Sequence, residues 1–197
     1  MRMHLWLVAC AIVMGRVDAA EACACCDAKM TRTPIGWSAE GSLLIDTRDN
    51  HACEGKARLE TWPVDAEVPS TCFDFYGDPE KEIPCGEIEH QQSGKTPKRT
   101  SAVAKKRFPT KATRSAASKV RVTRSPGSDS GHANATVQVK TKSGWQIVWS
   151  GAISSSQKPT ASVWPSPAGD RVVALVSYIH SGTQSEEVDV HWAPMPK

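Results

Sequence analysis

The sequence predicts an all-β protein built from antiparallel hairpins. Two stretches of similar pattern, residues 36–64 and 164–195, each combine a turn, a short apolar run and a second run ending in tryptophan. Apolar runs of this kind between turn residues are typical of strands. Sustained helical periodicity is absent outside the apolar start of the sequence and a short stretch at 115–119. Six cysteines between residues 23 and 85 predict disulfides that staple the N-terminal half.

Residues 1–19 are predicted to be an export signal. Arg2 precedes the apolar run Leu5–Gly15, whose 11 residues are too few to span a bilayer. Small residues favour cleavage between Ala19 and Ala20. The alternative is a lipoprotein signal, because the sequence LVAC ending at Cys10 fits a lipobox. We therefore expect an exported protein, periplasmic or extracellular, and prefer the cleaved form to lipid anchoring at Cys10.

The cysteines that remain after cleavage are even in number, which favours three disulfides. Cys25 and Cys26 are adjacent and poorly placed to pair with each other. We expect each member of the N-terminal cluster to pair with one downstream cysteine, and a local Cys23–Cys26 bridge stays open as an exception. The alternative is a metal-binding or redox protein that uses the cluster thiolates. The cluster is Cys23, Cys25 and Cys26, and the downstream cysteines are Cys53, Cys72 and Cys85.

The first hairpin is predicted from Ser42–Asp46 and Arg58–Val64, where Pro63 ends the pairing because it lacks an N–H. In the second copy, Val172–Leu175 forms the outgoing strand and Val188–Trp192 the return strand. The turn at residues 38–42 matches the turn at 166–170, and Trp62 and Trp192 close the two return strands. One hairpin cannot bury its own apolar face, so each must pack against a neighbour.

The shared pattern, W-S-x-x-G followed by a short strand, a loop and a strand ending in tryptophan, resembles WD40-like (PD40-type) β-propeller repeats. The resemblance covers the two hairpins, about a third of the chain. It implies a ring of four-stranded blades, of which the mature chain could hold about four at most, in a small propeller-like domain. The alternative is two unrelated hairpins in an all-β domain of the sandwich kind.

Charge divides the chain into distinct segments. Residues 20–90, the predicted Cys-rich acidic β unit, carry 15 acidic and 6 basic residues, whereas residues 91–124 carry 11 basic residues and no acidic one. With little apolar area to offset chain ordering, residues 91–119 are predicted to be a basic flexible linker or loop. We interpret residues 91–124 first as a solvated linker. The alternatives are that they bind an anionic envelope surface or polysaccharide, or that they bind the acidic segment directly before them. The candidate anion-binding residues are Lys98, Arg99, Lys105, Lys106, Arg107, Lys111 and Arg114.

Residues 120–197 are predicted to form a Cys-free β unit that packs with residues 20–90 as one domain. Within it, Thr136–Lys140 and Trp145–Trp149 flank a tight turn ending at Gly144, which predicts a hairpin. His180 and His191 lie on opposite arms of the last predicted hairpin, and their approach would be the start of a metal site.

The sequence favours a non-enzymatic binding or scaffolding protein of unknown ligand. It contains no nucleophile elbow, no His-Glu-x-x-His, no phosphate-binding glycine loop and no dinucleotide fingerprint. An enzyme with an unrecognised site remains an alternative, and no cofactor is expected. Nucleic acid is a disfavoured partner, because the basic tract holds few aromatic residues for base stacking. We expect no transmembrane segment in the mature chain.

Overall fold

The computed structural model describes residues 29–50, 56–78, 80–88, 96–127, 131–155 and 157–196. The predicted export signal, including Cys10, lies outside these residues. So do four of the predicted disulfide cysteines, namely Cys23, Cys25, Cys26 and Cys53. In the described part of the chain, no helix is both long and apolar enough to cross a membrane.

The described residues form three antiparallel sheets and one α-helix, which confirms the all-β prediction. Sheet I has the strand order β5-β4-β3-β2-β1-β6, and sheets II and III are three-stranded meanders. Sheet I contains β1 (Met30–Trp37), β2 (Leu43–Asp49), β3 (Lys56–Trp62), β4 (Thr71–Phe73), β5 (Glu82–Ile83) and β6 (Thr110–Lys111). Sheet II contains β7 (Val120–Pro126), β8 (Ala133–Thr141) and β9 (Gly144–Ile153). Sheet III contains β10 (Thr160–Pro165), β11 (Arg171–Ile179) and β12 (Glu186–Pro194), and the helix is α1 (Lys98–Arg107).

The two similar hairpins predicted from the sequence both form. In the first, Leu43 of β2 pairs with Trp62 of β3, and in the second, Val173 of β11 pairs with Trp192 of β12. The hairpin predicted at 136–149 also forms, from β8 and β9. Hairpin formation is thus confirmed at all three places.

The turns that enter the first two of these hairpins have matching local geometry. Gly41 and Gly169 adopt positive φ angles of 88° and 71°, a conformation that suits glycine. Each glycine donates its N–H to the carbonyl of a serine three residues earlier, Ser38 or Ser166. Each serine hydroxyl also accepts a backbone N–H at the start of the next strand. The likeness therefore extends from sequence to hydrogen bonding, while membership of the WD40-like repeats stays a prediction.

The sheets pack face to face in the order I, III, II, and α1 covers the outer face of sheet I. Strand β11 lies in the inner layer, so both of its faces are buried. Val173 and Leu175 pack against Leu43 and Ile45 of sheet I. The alternate residues Val172, Ala174 and Val176 pack against Val137, Val139 and Val148 of sheet II. This period-2 division follows from strand geometry.

Residues 98–107 are a helix, and the expectation of a flexible linker is wrong for them. Thr100 and Ala104 are buried, and the ring of Phe108 contacts Phe73 edge to face. The same cluster includes Leu44 and further apolar residues of sheet I. The segment itself offers little apolar area, but the sheet supplies the large side chains. Tertiary packing of a narrow face is sufficient to fix a helix of good helix formers.

Cys72 and Cys85 form a disulfide with each other. The expectation that both pair with the N-terminal cluster is therefore wrong, although their assignment as disulfide cysteines is correct. The cause is local: β4 and β5 are antiparallel neighbours in which Cys72 pairs with Ile83. Cys85 follows two residues later, which places the two Cα atoms 4.9 Å apart.

Candidate anion-binding surface

Four of the seven predicted anion-binding residues share the solvent side of α1. Lys98 and Arg99 are one pair, and Lys105 and Lys106, seven residues later, are the other; all four are exposed. Seven residues are nearly two helical turns, so both pairs point the same way and lie about 10 Å apart along the axis. The buried Thr100 and Ala104 occupy the opposite side. We call these four cations the α1 basic face.

The α1 basic face is electrostatically uncompensated within the described part of the chain. None of its four side chains forms an ion pair there. The first turn contains no acidic residue, and Pro97 at the N-cap provides no side-chain hydrogen bond. The positive end of the helix dipole therefore adds to the charges of Lys98 and Arg99. An anion is the partner that this arrangement favours.

Arg107 has a different place from the other predicted helix cations. Its Nη1 atom lies 2.7 Å from Glu82 Oε1, and its Nη2 atom donates to the carbonyl of Glu80. Its guanidinium also lies 5.7 Å from the ring centroid of Phe73. Arg107 therefore attaches the helix to the acidic unit and is not part of the basic face.

The last two predicted residues follow the helix. Lys111 is an exposed residue of the edge strand β6, where it pairs with Gly36 of β1. Arg114 is exposed three residues further along. The structure thus gathers four of the seven residues on one helix side, and places these two on the segment that continues along the edge of sheet I.

Glu60 is a buried carboxylate at the centre of a network of hydrogen bonds and ion pairs. It is 1% exposed, and its Oε2 atom accepts hydrogen bonds from Thr47 Oγ1 at 2.8 Å and Trp62 Nε1 at 3.1 Å. Arg58 Nε lies 3.6 Å and Arg32 Nε 3.8 Å from its two oxygens. A buried carboxylate with hydrogen-bond donors and two guanidinium groups around it stabilises the structure.

This network also connects two sheets. Arg32 of β1 lies over the ring of Trp62, 5.5 Å from its centroid. Its Nη1 atom donates a hydrogen bond to the carbonyl of Val188 on β12. Glu60 therefore neutralises a guanidinium that spans the contact between sheets I and III.

The suggested approach of His180 and His191 does not occur. His191 pairs with Ala174 in the middle of β11, whereas His180 follows Ile179 at the far end of that strand. The His180 Nδ1 atom accepts backbone N–H groups of its own turn. Among the described residues, no three histidine, cysteine or acidic side chains are grouped as metal ligands. The Cys23, Cys25 and Cys26 alternative lies outside these residues and stays a prediction.

A cleft of about 440 Å³ lies beside the edge strand β12, and no pattern in the sequence predicted it. Its walls come from the loop after β3, from β9, from the start of β11 and from β12. Residues so distant in sequence leave no local motif. We call it the β12 cleft; it is lined by Asp65, Ala66, Glu67, Trp149, Arg171, Val190, His191, Trp192 and Pro194.

Burial and aromatic stacking fix the histidine of this cleft. The rings of His191 and Trp149 are stacked, with centroids 4.1 Å apart and planes 15° apart. Burial lowers the pKa of His191, and the carboxylate of Asp189 opposes that shift. The imidazole is therefore held in its neutral form near pH 7.

No protein-family model matches this chain, and no curated protein or solved structure matches it either.

Proposed function

We propose that this protein is an exported, non-enzymatic binding or scaffolding protein that attaches to anionic surfaces through the α1 basic face. The observation that supports the proposal most directly is the set of four exposed cations on one side of a packed helix, with no ion pair among the described residues. A disulfide such as Cys72–Cys85 is typical of proteins in oxidising compartments, which agrees with export.

The attraction is electrostatic in kind. Between the two cation pairs, Ala102 is exposed, Ser101 and Val103 are half-buried, and Val103 packs against the apolar cluster of sheet I. This side therefore presents no fully exposed large apolar group for insertion into a membrane. Clustered phosphate, carboxylate or sulfate groups are the shared chemistry that four neighbouring cations would bind. Such contacts weaken with salt, because the Debye length is only about 8 Å at 0.15 M ionic strength.

The test compares two lysine triples with equal change in net charge. Lys98→Gln, Lys105→Gln and Lys106→Gln remove three charges from the basic face. Lys140→Gln, Lys142→Gln and Lys158→Gln, the control, remove three exposed lysines from sheet II and the loop after it. Binding of both proteins to heparin and to vesicles rich in anionic phospholipid is measured between 0.05 and 0.5 M salt, a range spanning the screening regime.

At about 1 kcal/mol for each cation near an anionic surface, the helix triple is expected to bind roughly a hundredfold more weakly at low salt. The control triple should retain most of the affinity, and binding by the unaltered protein should fade as salt rises. Loss of affinity only on heparin would identify polysaccharide as the partner, and loss only on vesicles would identify phospholipid. Equal losses in both triples, or salt-independent binding, would overturn the proposal.

A further inference from the structure

We propose that the β12 cleft binds a small zwitterion of the amino-acid class, a free α-amino acid or a dipeptide with an apolar side chain. The inference is independent of the α1 basic face, which lies on the other side of sheet I. It rests on unpaired polar atoms, on the distribution of charge around the cleft and on the exposed edge of β12.

Unpaired nitrogen atoms are concentrated in this cleft. In the described part of the chain, four buried side-chain nitrogens have no hydrogen-bond partner. One, Arg32 Nε, still has Glu60 at 3.8 Å. The other three, Arg171 Nε, His191 Nε2 and Trp192 Nε1, all belong to residues that line the β12 cleft.

The chemistry of these nitrogens selects an acceptor. The N–H groups of arginine and tryptophan can only donate. A buried donor without an acceptor is costly for the folded protein, so the two donors Arg171 Nε and Trp192 Nε1 beside one opening favour a bound acceptor. The Nε2 atom of neutral His191 donates or accepts according to its tautomer. A carboxylate offers two acceptor-only oxygens, and arginine binds it in preference to other groups.

The rim of the cleft has the opposite character. Asp65 and Glu67 are both exposed. Arg171 Nη2 donates a hydrogen bond to Asp65 Oδ2 at 3.1 Å, while Arg171 Nε has no partner. With His191 neutral, two carboxylates and one guanidinium surround the opening. A simple anion would be repelled by this rim, whereas a molecule with both an ammonium and a carboxylate group matches it.

The outer edge of β12 also offers backbone N–H and C=O groups to a ligand. The carbonyl of Val188 accepts from Arg32 and so points away from β11. Backbone groups alternate along an antiparallel strand, so those of Val190 and Trp192 also lie on this outer edge. A ligand with its own amide or ammoniocarboxylate group can pair with such an edge.

The apolar part of the cleft wall favours an apolar side chain on the ligand. This part consists of Val190, Pro194 and the ring of Trp149. Trp149 is held by its stack on His191, and Trp192 by edge-to-face contact with Trp37 at 5.9 Å. The cleft volume of about 440 Å³ lies within the range of small-molecule sites.

The experiment measures binding of leucine, phenylalanine and the dipeptide Leu-Leu to the whole protein, by calorimetry and by the shift in melting temperature. The N-acetylated forms lack the ammonium charge, and the C-terminal amides lack the carboxylate. We expect the zwitterions to bind and both blocked forms to bind at least tenfold more weakly. Equal binding of blocked and free forms, preference for a neutral sugar, or no binding by any zwitterion would overturn the proposal.

Variants locate the site. Trp192→Phe removes one orphan donor and keeps an aromatic ring, and it should weaken leucine binding roughly tenfold. The matched control is Trp164→Phe, because Trp164 packs against the same core cluster but donates to Ser162 and lies outside the cleft. Glu67 is exposed, so Glu67→Gln should change the free energy of unfolding little. It should still weaken leucine binding, because it removes a rim carboxylate that would attract the ammonium group. Equal affinity of Trp192→Phe, Glu67→Gln and the unaltered protein would contradict the assignment.

Discussion

Replacing Glu60 with glutamine tests whether the buried carboxylate holds sheets I and III together. The substitution keeps the shape of the side chain and removes its charge. Arg32, whose side chain is 16% exposed, then loses the anion that faces it. Removing one partner of a buried ion pair costs about 3–5 kcal/mol, because the remaining charge is left uncompensated. Glutamine still accepts one hydrogen bond, and Arg58 is partly solvated, so we expect a loss near the lower limit, about 3 kcal/mol.

The assay is urea unfolding followed by tryptophan fluorescence, with the free energy of unfolding extrapolated to water. Glu186→Gln is the matched control, since the Glu186–Lys29 pair spans 3.4 Å but its side chains are 31% and 53% exposed. Exposed pairs contribute about 0–1 kcal/mol. In the double variant with Arg32→Met, the total loss should be smaller than the sum of the single losses. A Glu60→Gln loss no larger than that of Glu186→Gln would refute the reasoning.

Two further predictions concern the disulfide and the buried histidine. Cys72→Ser with Cys85→Ser opens a link across 13 positions and should lower the free energy of unfolding by about 3 kcal/mol, measured by the same titration under non-reducing conditions; an unchanged midpoint would contradict it. Burial lowers the pKa of His191, so its contribution to stability is present above about pH 6.5 and is lost as the pH falls through the folded-state pKa. Between pH 7.5 and 5, the stability of the unaltered protein relative to His191→Gln should therefore decline, and a constant or growing difference would show that His191 is not held neutral.

The strands could be predicted because their signals are local. Val172–Val176 is a continuous apolar run between turn residues, and Gly41 and Gly169 occupy turn positions that suit glycine. The pattern of apolar residues and the presence of turn-forming residues both involve only a few neighbouring positions, so they can be read directly from the sequence. The hairpins therefore agree between expectation and structure.

The helix and the cleft depend on contacts that no local pattern contains. Helix α1 forms because Ala104 and Phe108, with Val103 partly buried beside them, pack against an apolar face of sheet I that earlier strands supply. The basic residues dominate the composition of that segment and hide its narrow buried side. Likewise, Asp65 and His191 come to line the same cleft only when the three sheets pack together. The seven basic residues could be selected from the sequence. The sequence could not show that Arg107 pairs with Glu82 and so does not belong to the basic face, because that depends on where Glu82 lies in the fold.

The order of the layers in space differs from their order along the chain. Sheet III is made from residues 160–194, yet it separates sheet I from sheet II and covers an apolar face of each. A chain synthesised from its N-terminus therefore presents two completed but uncovered sheets until its last strands appear. Exposed apolar faces of this kind promote aggregation during folding. The early part of the protein thus needs protection that the native structure itself provides only at the end.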